Sequence, residues 1–114
     1  MRVPAAFAAL LALAAAHPKL PPYPKTLRCA ALIAGSLKGR DLMSAEGRVL
    51  FDAGIFWGFA SADAARVAKR SHAQFKQDER TAAATAAPQV AAKDPAALAE
   101  LDACLKAVPP LKKP

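Results

Sequence analysis

The chain has 114 residues, a formal net charge of +7 and two cysteines, and is 54% hydrophobic but only 6% aromatic. That length supports one small domain with a modest core. Two cysteines cannot furnish a zinc site by themselves, and they are not spaced as a CxxC redox pair.

The opening residues have the form of a secretory signal. Arg2 gives the positive start, Val3 to Ala16 is an apolar run of fourteen, and Ala14 to Ala16 offers small residues for cleavage. A membrane span needs about 20 apolar residues, so this run fits a cleaved signal better than an anchor. Residues 1–16 are therefore expected to be removed on export to the periplasm or beyond. Without Arg2, 15 basic side chains face nine acidic ones, leaving the mature chain at +6. An excess of that size suits either solubility or attraction to anionic lipid and glycan.

Residues 17–25 carry four prolines, Pro18, Pro21, Pro22 and Pro24. Proline fixes φ and removes a donor, so this stretch reads as an extended tether, from which Leu20 and Tyr23 can lie back on the domain. A helical domain is expected over 26–108. Its first helix runs from Thr26 to Lys38, with Cys29, Leu32, Ile33, Ser36 and Leu37 on one side and Gly39 as the stop. The Gly35 to Arg40 segment lacks the spacing and closing Lys-Ser/Thr pair of a phosphate loop.

The second helix starts near Ala45, with Asp41 or Ser44 as cap. Positions 51 to 59 hold four of the seven aromatics, including the only tryptophan. On a helical wheel Val49, Ala53, Phe56, Trp57, Ala60 and Ala64 share one side, while Phe51, Ile55 and Phe59 form a second stripe. A helix apolar on two sides wants neighbours on both, which predicts that this helix is central. Gly47, Gly54, Gly58 and Ala65 make a third strip open to close packing. The Gly54/Gly58 pair lies in an uncharged run of only ten residues between Asp52 and Asp63, too short to span a bilayer.

Helical spacing continues to about Arg80, either as one bent helix or as two with a kink at Gly58 and a new cap at Ser61. Ala64, Val67, Ala68, Ser71 and Phe75 extend the buried side. Arg66, Lys69, Arg70 and Lys76 line the other, as a solvated face or as contacts for an anionic surface. Thr81 to Ala92 is Ala/Thr-rich and interrupted by Pro88, which predicts a frayed helix or a mobile connection. Asp94-Pro95 announces a last helix with Leu98, Leu101, Cys104, Leu105 and Val108 as its stripe. Residues 109–114 form a loose basic tail.

No strand-like alternation occurs, so the chain reads as an all-α bundle of three to four helices. Cys29 and Cys104 both fall on core-facing sides of terminal helices. In an oxidising compartment they are expected to pair, closing a loop of 76 residues. The other arrangement open to them is two buried thiols.

Catalytic signals are sparse. His17 and His72 are the only histidines, and His72 beside Ser71 points about 100° away on a helix. Asp52 and Asp63 stand about 16 Å apart along an unbroken helix, too far for a carboxylate dyad. No hydrolase, zincin or cofactor motif is present, so the expectation is a non-enzymatic protein without a cofactor. Nucleic acid is not an expected partner, because the aromatics do not interleave with the basic residues.

The signal, the small all-helical domain and the Cys29/Cys104 pair make the layout similar to HdeA-type periplasmic acid-stress chaperones. The Arg28-Cys29-Ala30-Ala31 and Ala103-Cys104-Leu105 segments also resemble small secreted bacterial helical proteins with one cysteine pair and no assigned activity. The resemblance implies a protein-interaction or chaperone-like module that exposes apolar surface. On the residues alone, the stripe Phe51, Ile55 and Phe59 is the expected contact face, for an unknown protein partner or a second copy of the chain. The alternative is a cell-envelope surface binder acting through Arg66, Lys69, Arg70 and Lys76.

Overall fold

A computed structural model describes residues 21–110. The signal-like run, the first four residues of the proline-rich tether and the last four residues of the chain lie outside it. The described residues form four helices, α1 (Tyr23–Leu37), α2 (Ala45–Val67), α3 (His72–Ala91) and α4 (Pro95–Lys106), and no strands. The all-α bundle closed by one disulfide is the observed architecture. Cys29 on α1 is bonded to Cys104 on α4, with Cα atoms 5.6 Å apart.

Helix α1 begins three residues inside the expected tether. Proline is tolerated in the first helical turn, where the N–H has no intrahelical partner in any case. Pro24 occupies that position, and the Pro22 carbonyl accepts from the amides of Lys25 and Thr26. The buried face of α1 comprises Thr26, Cys29, Ala31, Leu32, Ile33 and Ser36. Its two hydroxyls are satisfied locally, Thr26 Oγ1 donating to the Tyr23 carbonyl and Ser36 Oγ to that of Leu32.

The central element is α1, not the aromatic helix. Helices α2 and α3 both pack along α1 and scarcely touch each other, while α4 closes one end against all three. This corrects the expectation that two apolar stripes on α2 would both find neighbours. Leu50, Ala53, Trp57, Ala60, Ser61, Ala64 and Ala65 face inward. The Phe51, Ile55 and Phe59 stripe does not. The reason is supply: α1 is apolar, short-sided and rich in Ala, so it can be gripped from two sides at once. Helix α3 has one fully buried residue, Ala86, and has no comparable face to offer α2.

Ala45 to Arg80 is two helices, and the break lies at Ala68–Ser71 rather than at Gly58. Lys69 adopts φ +57°, the Arg70 amide donates to the Ala65 carbonyl and the Lys69 amide to that of Arg66. This is a Schellman ending in which lysine replaces the usual glycine. Ser71 then caps α3 through a full capping box, its hydroxyl accepting from the Gln74 amide while the Gln74 side chain accepts from the Ser71 amide. Val67, expected on the buried side, is consequently exposed at the helix end. Ser61 lies mid-helix and caps nothing; its hydroxyl is buried without a hydrogen-bond partner.

Pro88 does not interrupt α3, which runs on to Ala91. A proline three residues from the end removes one backbone bond while the remaining turn closes normally. That turn ends like α2, with Lys93 at φ +55° and the Asp94 amide donating to the Gln89 carbonyl. Asp94 then caps α4 by accepting from the Ala97 amide, with Pro95 in the first turn, as expected. Leu98, assigned to the buried stripe, is partly exposed, and Ala97 takes the inward position instead.

Candidate interaction surface

The outer side of α2 is positioned by what its inner side does. Trp57 is 1% exposed and its indole Nε1 donates to the Cys104 carbonyl at 3.0 Å. Phe56 packs edge-on against it, ring centroids 5.2 Å apart. These contacts fix the rotation of α2. Residues about half a turn from Trp57 must then face away from the bundle.

Phe51, Ile55 and Phe59 occupy that outer face and are 48%, 46% and 71% exposed. Spaced four apart, they form one ridge. Charged groups rim the ridge, Arg48 before it, Asp52 alongside it, and Asp63 and Arg66 after it. Leu42, from the preceding loop, joins Arg48, Phe51 and Asp52 around a shallow hollow of about 240 Å³. The loop is held there by packing rather than by choice. A methyl on Gly47 would stand 2.1 Å from the Asp41 carbonyl oxygen, so only glycine lets the loop lie on the first turn of α2. Ser44 caps that turn, accepting from the Gly47 amide.

The four cations assigned to an anionic surface do not form an unpaired patch. Arg66 pairs with Asp63, Arg70 with Asp78, and Lys76 with Glu79 at 3.2 Å while lying over the Phe75 ring. Lys69 sits in the left-handed turn between α2 and α3. These cations are spread over a helix end, a turn and a second helix, which divides the charge that a headgroup would need to meet.

Two polar clamps tie α1 to its neighbours, and neither was legible in the sequence. Tyr23 Oη donates to Asp78 Oδ2 at 2.8 Å, and Arg70 grips the same carboxylate through Nε and Nη2. The Arg70 guanidinium, and then the Tyr23 hydroxyl, hold the Asp78 carboxyl below its ordinary range. Partial burial, and then the bond to Asp78, push the Tyr23 hydroxyl up. Arg28 makes a two-pronged pair with Glu100 at 2.9 and 3.1 Å and donates to Gln89, which keeps the Glu100 carboxyl low. Tyr23 and Arg28 lie 55 to 72 positions from the residues they bind, beyond any local pattern. Between the clamps runs an open groove of about 580 Å³ along Tyr23, Leu27, Thr81 and Ala82.

Among the described residues no group of three or more His, Cys, Asp or Glu side chains could hold a metal ion. Ser71 is engaged as a helix cap and His72 is exposed beside it; His17 lies outside the described residues. None of the described helices is long and apolar enough to cross a membrane. The disulfide is compatible with an extracytoplasmic protein. No family model matches the chain, and no curated protein or solved structure matches it either.

Proposed function

We propose that this chain is a small exported helical protein of the periplasm or the secreted space, acting without catalysis as a protein-interaction or chaperone-like module. Its working face is the α2 ridge of Phe51, Ile55 and Phe59. One observation carries this reading: three large apolar side chains stand exposed in a row on the face opposite the buried Trp57. A row of this kind, rimmed by charge, is the usual composition of a contact surface. The disulfide suits the same role, since it fastens α4, whose Cys104 carbonyl accepts from the Trp57 indole on the inner side of α2.

The ion pairing of Arg66, Arg70 and Lys76 counts against the alternative of an anionic lipid or glycan binder, because paired charges attract a surface less.

The two readings separate by experiment. Disulfide-intact protein and its Phe59→Arg variant serve as baits for envelope extract at low and high salt. The interaction reading expects a protein recovered by the wild type at both salts and lost with the variant. Equal recovery by both baits overturns it. Binding to anionic vesicles that vanishes as salt rises, and is not weakened by the extra positive charge of Phe59→Arg, establishes the alternative.

A further inference from the structure

The order of side chains on the exposed ridge is self-complementary. Ile55 sits at its middle, with Phe51 and Phe59 each four residues away, about 6 Å along the helix axis. Beyond them lie Arg48 on one side and Asp63 on the other, about 10 and 12 Å from Ile55. A second α2 laid antiparallel on the first, with a two-fold axis at Ile55, places Ile55 against its own copy. The same rotation sets Phe51 level with Phe59 of the other chain, twice. It also brings Arg48 of each chain level with Asp63 of the other.

From this symmetry we infer that the partner of the ridge is a second copy of this chain, docked antiparallel through α2 as an isologous dimer. The inference rests on the reading of the ridge as an interaction face and names its occupant. Four observations support it. The register that buries all three apolar side chains is the one that also pairs opposite charges, so packing and electrostatics select the same alignment. Arg48 makes no ion pair among the described residues. Among the described residues Asp63 is engaged only by exposed Arg66, so its carboxylate has room for a second donor. Among the described residues no other helix competes for the face, since α3 and α4 pack on α1 and scarcely reach α2.

The charge pair gives a test that folding defects cannot imitate. Arg48→Asp and Asp63→Arg are each made in the full, disulfide-intact chain and studied by sedimentation velocity over a concentration series. The wild type is expected to self-associate. Either variant alone places like charges opposite each other twice and raises the dimer dissociation constant by about tenfold or more. Mixing the two variants restores a heterodimer, because both cross-chain contacts are then between opposite charges. Ile55→Arg abolishes association in every combination while leaving the helical circular dichroism unchanged, since Ile55 lies outside the core. A wild type that stays monomeric at hundreds of micromolar, or a mixture that fails to associate, overturns the dimer. If the wild type is monomeric yet Phe59→Arg still abolishes capture of an envelope protein, the dimer falls and the interaction face stands. If the wild type dimerises and the charge exchange has no effect, association occurs elsewhere and the inference fails.

Discussion

Trp57 donates its indole N–H to the backbone carbonyl of Cys104, the residue that carries one sulfur of the disulfide. The aromatic helix and the covalent closure therefore meet at one residue of α4, and their contributions should be coupled. Trp57→Phe removes a buried donor and strands that carbonyl, at a cost of about 1–3 kcal/mol. Reducing the disulfide costs about 4 kcal/mol on the chain-entropy account. Because reduction loosens α4, the penalty for Trp57→Phe should be smaller in the reduced protein. Urea unfolding of both proteins, with and without reductant, measures the difference.

Two glycines of α2 should respond oppositely to the same substitution. Gly47→Ala drives a methyl into the Asp41 carbonyl and should destabilise by about 1–3 kcal/mol, freeing the 38–44 loop. Gly58 has nothing within 4 Å of where a methyl would stand. Gly58→Ala should stabilise by up to about 1 kcal/mol through helix propensity. Thermal unfolding at a dilution where the chain is monomeric distinguishes the two.

The helix endings at Lys69 and Lys93 carry avoidable strain. Both lysines hold positive φ, a conformation that costs a side-chain-bearing residue about 1–2 kcal/mol. Lys69→Gly and Lys93→Gly should each stabilise, by roughly 1 kcal/mol or less after the added chain entropy of glycine is counted. Because the sites are well separated in the fold, the double variant should show the sum, as read from denaturation midpoints.

Acid should act through two carboxylates. Asp78 and Glu100 have folded-state values below their unfolded ones, Asp78 through Arg70 and then Tyr23, and Glu100 through Arg28. Their contribution is full above the ordinary carboxylate range, about pH 4, and is lost as pH falls through the depressed values. Stability should hold at mildly acid pH and decline only below that range. Asp78→Asn should flatten part of the decline, a comparison made by urea midpoints at pH 3 and pH 6. At the alkaline end Tyr23 works in the other direction: its raised value means that stability is lost as pH climbs past about 10.

Most of the architecture could be read from residue spacing, and what could not has identifiable causes. Cys29 and Cys104 were legible as a pair because each fell on an apolar stripe that was clear by itself. Asp94-Pro95 was legible because the cap and the first-turn proline follow directly from backbone chemistry. The break after Val67 escaped notice because lysine, not glycine, takes the left-handed position. The Ser71–Gln74 capping box two residues later was the one local sign of it. The central place of α1 was hidden for a different reason. A wheel shows which sides of a helix are apolar but not how many faces the remaining helices can cover, and the alanine-rich α3 left the Phe51, Ile55 and Phe59 side without a neighbour. The same excess of apolar surface that made the stripe look buried is what makes it a candidate contact face.

The bond between Cys29 and Cys104 links residues 75 positions apart and encloses all three interhelical connections. A protease that cuts any of them would open the backbone without releasing a piece, since both fragments stay fastened through sulfur. Nicked protein would migrate intact on a gel run without reductant and split only after thiol treatment. In a compartment populated by peptidases, such a molecule can survive a first cut with its helices still assembled.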